Sequence, residues 1–90
     1  MKRVMITMSG KVQGVGLRRS ALQKAQALGV TGYVCNLDDG RVRILAQGAF
    51  PAVDQLIHWC EIGPVTAQVD SVFVEEDEAD EIYLDFSITA

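Results

Sequence analysis

The sequence predicts an α+β sandwich in βαββαβ order, with an antiparallel sheet of four to five strands and two helices on one face. Three observations carry that expectation. Apolar residues alternate around residues 4–8, 41–47 and 82–88, they recur at helical spacing over 18–28 and from 51 towards 63, and glycine-bearing breaks separate these stretches. At 90 residues the chain is read as one domain, residues 1–90. A chain this short hides about 60 to 65% of its unfolded surface, enough for one core.

Val4, Ile6 and Met8 alternate with Arg3, Thr7 and Ser9, the pattern of a strand with one buried face. A glycine-rich stretch, residues 10–16, ends it. Over Arg18 to Leu28, Ala21, Leu22, Ala25 and Leu28 follow helical spacing, and Gly29 is placed to stop the helix. Thr31 to Leu37 is rich in β-branched and aromatic residues, Asp38-Asp39-Gly40 is a hairpin turn, and Val42, Ile44 and Ala46 alternate through Arg41 to Gln47. These make the second and third strands.

Pro51 opens a second helix with Val53, Leu56, Ile57 and Cys60 as its apolar stripe, ending near Gly63-Pro64. Val69 to Val74 reads as a fourth strand. The acidic run from Glu75 to Glu81 is expected to stay exposed through mutual repulsion. Ile82, Leu84, Phe86 and Ile88 then alternate as a last strand, which completes a ferredoxin-like order with one strand to spare.

The stretch from Gly10 to Arg18 carries the chemistry. Gly10, Gly14 and Gly16 permit backbone angles closed to other residues, so several N–H groups can converge on one small anion. The following helix would turn its positive end to the same hollow, and Arg18 in the first turn adds a planar, permanently charged fork. Arg19, about 100° further round the helix, is read as a solvated charge. No Gly-Lys-Ser/Thr follows the glycines and the spacing is not Gly-x-Gly-x-x-Gly, so neither nucleotide fingerprint is present. On spacing alone, a plain turn after a strand is the favoured explanation of the glycines.

Other candidate groups have simpler explanations. Asp38 and Asp39 fit turn chemistry without a metal. His58, the single histidine, lacks a partner at ligand spacing, and Trp59 is most simply a packing residue. Cys35 and Cys60 are read as thiols in or near the core, with Cys35 on the strand face opposite Asn36.

Two motifs resemble a known family. Gly10, Val12, Gln13, Gly14, Val15 and Arg18 are similar to the first signature of the acylphosphatases, and Gly32, Tyr33, Val34, Asn36, Gly40, Val42 and Gly48 to the second. Leu17, Met8 and Cys35 depart from the usual residue types. The resemblance implies the ferredoxin-like fold and hydrolysis of small-molecule acyl phosphates. It also implies that Arg18 binds the phosphoryl group and Asn36 positions water, with the N–H groups of Val12, Gln13, Gly14, Val15, Gly16 and Leu17 holding phosphate oxygens. No metal or cofactor is expected. The leaving carboxylate is the base of an acid with a pKa of about 4, so it needs no strong general acid.

Charge is uneven: residues 1–43 hold all 8 Lys and Arg but only 2 of the 12 acids, and the net charge is −4. Most of that contrast is expected to be satisfied within the fold, with positive potential left near the loop. An isoelectric point near 4.7 argues against nucleic acid as a partner. An RNA-binding module of the same element order would need stacking aromatics on its central strands, and Arg41 to Gln47 has none. No stretch reads as a signal peptide or membrane span, so a cytoplasmic location is the default; a monomer is expected. The alternative reading is a non-catalytic phosphate- or carbamoyl-phosphate-binding module.

Overall fold

The computed structural model describes residues 1–89. Its elements are β1 (Lys2–Lys11), α1 (Leu17–Leu28), β2 (Thr31–Asn36), β3 (Val42–Gly48), α2 (Phe50–Ile62), β4 (Gln68–Glu76) and β5 (Phe86–Ile88). They form one sheet in the order β4-β1-β3-β2-β5. The first four strands pair antiparallel, as expected, whereas β5 joins β2 in parallel.

Strand alternation decides where the core lies. Val4, Ile6 and Met8 of β1 share a face with Val34 of β2 and with Val42, Ile44 and Ala46 of β3, and all are buried. Leu17, Ala21 and Ala25 from α1 and Val53, Leu56 and Cys60 from α2 close over that face. Burying one such Leu or Ile side chain stabilises the fold by about 1.5 to 3 kcal/mol. Both helices therefore lie on one side of the sheet, and the ends of β2 and α1 meet at one edge of the core.

At Gly32 the backbone itself needs a residue without Cβ. Its φ is 135°, and a Cβ there would strike the Leu45 carbonyl of the neighbouring strand. No side chain fits. The turn between β2 and β3 is closed by Leu37 N–H to Arg41 O at 2.8 Å and Gly40 N–H to Leu37 O at 3.2 Å. Asp39 accepts from the Arg41 N–H and guanidinium, which hold its carboxyl below the usual carboxylate range, so turn chemistry does account for this acid.

The last strand is shorter than its alternation suggests. Ile82 and Leu84 are 80% and 91% exposed, and strand pairing begins only at Phe86. The cause is topological: β4 and β5 occupy opposite edges, so the chain between them has to cross the full width of the sheet. Arg3 holds that crossing segment, with its Nε donating to Asp77 at 2.7 Å and its Nη1 to the Glu81 carbonyl at 2.5 Å. Tyr83 packs edge-on against Tyr33. The acidic run is thus exposed at most positions but anchored at Asp77, and with Lys2 to Asp54 these pairs join the basic and acidic halves. Among the described residues no helix is long and apolar enough to cross a membrane.

Candidate active site

The loop between β1 and α1 ends at Gly16, whose φ of 77° and ψ of 13° make it a left-handed N-cap. Glycine brings no capping side chain and the first turn has no acid, so the positive end of this 12-residue helix is uncompensated from within. The first intrahelical bond runs from Ser20 N–H to Gly16 O at 3.1 Å. That leaves the N–H groups of Leu17, Arg18 and Arg19 outside the ladder. These three residues line one cavity of about 280 Å³.

Asn36 closes the cavity from the sheet. It is the last residue of β2, directly across from the fully buried Val42, so it points to the helix side. Its Oδ1 is buried and has no hydrogen-bond partner among the described residues. An acceptor left so costs about 1 to 3 kcal/mol, which any donor entering the cavity would recover. Cys35, its neighbour, pairs with Arg43 and lies on the opposite face, away from the cavity.

Of the loop residues expected at the site, Val12, Gly14, Gly16 and Leu17 line the cavity with Arg18. Gln13 and Val15 do not. The Gln13 amide turns to the β2–β3 hairpin and donates to the carbonyls of Leu37 and Arg41 at 2.8 and 2.9 Å. Val15 packs against the core, and its carbonyl accepts from Thr66 Oγ1 at 2.5 Å.

Two lining residues were not expected. Arg19, read as a solvated charge, is exposed yet stands on the cavity rim. Its 100° offset from Arg18 is small enough for two adjacent first-turn residues to border one opening. Ile88 reaches the cavity from β5. Only the parallel pairing of β5 with β2 brings it there, and local alternation carries no signal of that partner.

The remaining titratable candidates lie elsewhere. Cys60 is buried under α2, and burial first, then the charge of Glu61, pushes its thiol up to about 12, so it is inert as a nucleophile. Both cysteines are free. His58 is exposed and sits 3.5 Å from Glu61. No carboxylate, imidazole or thiol is found among the described residues lining the cavity. Its lining, with Arg18 and Arg19 at a helix terminus and one carboxamide acceptor from Asn36, is suited to holding a small anion.

Comparison with known proteins bears on the family and the fold. The acylphosphatase family profile matches residues 4–88. An acylphosphatase of Shewanella amazonensis is 64% identical over 89 residues, which are 99% of this chain and 98% of that protein. The crystal structure of an acylphosphatase from Bacillus subtilis superposes with a TM-score of 0.95 at 34% identity, covering 100% of both chains. A Coxiella burnetii acylphosphatase structure gives 0.92 at 40% identity, over 98% of this chain and 92% of that one.

Proposed function

The chain belongs to the acylphosphatase family, and from that membership we infer that it hydrolyses acyl phosphates to a carboxylate and inorganic phosphate in the cavity between α1 and the end of β2. Arg18 and the N–H groups of the loop and first helical turn grip the phosphoryl oxygens. Asn36 presents its Oδ1 to a water and aims it at phosphorus opposite the acyl oxygen. As the water oxygen bonds to phosphorus, the bond from phosphorus to the acyl oxygen breaks and the carboxylate departs with the electron pair. The water's proton passes to a phosphate oxygen, so no protein base is used.

The observation that carries this reading is that Arg18 and Asn36 border one cavity, with no partner for the Asn36 acceptor among the described residues. Positioning and electrostatics supply the acceleration, and one such donor or aligning group is worth about 3 to 4 kcal/mol. The reading includes a monomer acting in the cytoplasm without nucleic acid, supported by two unbridged cysteines and a net charge of −4. Metal-stripped protein given acetyl phosphate is the test. Release of acetate and phosphate, inhibited competitively by phosphate, is expected. A folded protein that binds phosphate but leaves acetyl phosphate intact would establish a binding module instead.

A further inference from the structure

We propose that the Gln13 carboxamide is a positioning residue: it fixes the distance between the phosphate loop and Asn36 by clasping the loop to the hairpin that Asn36 begins. The proposal rests on the reading of the cavity given above. One Nε2 donates to two carbonyls, Leu37 O at 2.8 Å and Arg41 O at 2.9 Å. Leu37 follows Asn36 directly, and Arg41 stands where the hairpin returns into β3. Between Val12 and Gly14, which both line the cavity, Gln13 alone turns away from it, towards the strand that carries Asn36.

Its bonds are not needed to satisfy the hairpin. The Leu37 carbonyl already accepts from Gly40 N–H, and the Arg41 carbonyl from Leu37 N–H. Removing the Gln13 amide strands neither carbonyl, so the turn survives its loss. What goes is the side-chain tie between loop and hairpin beyond Met8 and Val42, where the β1–β3 pairing stops. In-line attack needs water and phosphorus about 3 to 3.5 Å apart, and a misplacement of about 1 Å can cost two decades in rate. The amide therefore acts on the chemical step through Asn36, without touching the substrate.

Gln13→Met keeps the length of the side chain and removes both donors. With acetyl phosphate, kcat is expected to fall by about ten- to a hundredfold, while the inhibition constant of inorganic phosphate changes less than about threefold. The Tm shift should stay under about 5 °C. Gln13→Glu adds a pH signature: its carboxylate repels both carbonyls, whereas its protonated form can donate to one. Its kcat relative to the unsubstituted protein should rise as pH falls from about 7 to about 5, and that of Gln13→Met should not.

An unchanged kcat in Gln13→Met overturns the proposal. So does a loss confined to KM and phosphate affinity, which would make Gln13 a brace for the loop alone. Failure of both variants to fold would likewise make it a structural residue. If the unsubstituted protein leaves acetyl phosphate intact, the acylphosphatase reading itself fails, an outcome recognisable before any variant is made.

Discussion

Arg18 in the first turn of α1 and Asn36 at the end of β2 border the same cavity, one with a cation and the other with a buried acceptor that has no partner among the described residues. A binding group and an aligning group on separate elements make losses that can be told apart. Arg18→Ala should lower kcat/KM with an acyl phosphate by two to three decades and abolish competitive inhibition by phosphate. Arg18→Lys should recover little, because an ammonium cannot offer a planar two-pronged donor. Undiminished phosphate inhibition in either variant would show that Arg18 does not hold the anion. Arg19→Gln serves as the control: from its exposed place on the rim it should weaken phosphate by only a few-fold, and less at high salt.

Asn36→Ala should behave in the opposite way. The variant loses the acceptor that aims water, so kcat should fall by about two to three decades while phosphate still inhibits. Stability should hold or rise, since the substitution removes a buried carbonyl with no partner among the described residues. Isothermal titration with phosphate and urea unfolding measure both. Weakened phosphate binding in proportion to the lost rate would assign Asn36 to anion binding instead.

What the sequence reveals about this site is what local rules encode. Alternation of Val4, Ile6 and Met8, the Gly14 and Gly16 breaks and the Asp38-Asp39-Gly40 turn are visible because the forces behind them act over a few residues. They already place Arg18 at a helix start and Asn36 at a strand end. The parallel pairing of β5 is decided by which sheet edge stands open after the other four strands have paired, so Ile88 could not be assigned to the cavity from its neighbours. Leu84 alternates correctly but lies in the crossing segment, where the distance between sheet edges outweighs pattern. The turn of Gln13 towards the hairpin was hidden for the same reason. Its acceptors belong to a hairpin formed later in the chain.

Two glycines separate backbone strain from collision. At Gly16 a Cβ meets none of the described residues within 4 Å, so Gly16→Ala costs only the left-handed backbone, about 1 to 2 kcal/mol. At Gly32 the added carbon would strike Leu45 main-chain atoms, and the β2–β3 pairing would have to part. Gly32→Ala should lose at least about 3 kcal/mol or fail to fold. Urea titration of both variants checks the order. A Gly32→Ala protein as stable as Gly16→Ala would mean that the two strands do not approach as closely as described.

Cys60 makes stability fall in alkali. Its thiol is fully buried and pushed up to about 12 by burial and by Glu61, whereas an unfolded cysteine titrates at about 8.5. Between those values the unfolded chain sheds a proton that the folded chain keeps. The unfolded state therefore binds fewer protons, and stability drops by about 1.4 kcal/mol per pH unit over that window, with no effect below it. Cys60→Ala begins less stable, having lost packing under α2, but lacks this slope. Urea unfolding at pH 7.5 and pH 10 should show the unsubstituted protein losing about 2 kcal/mol more than Cys60→Ala. Other titrating groups contribute equally to both proteins, so the difference isolates the thiol, and equal losses would mean that Cys60 ionises in the folded state as readily as in the unfolded one.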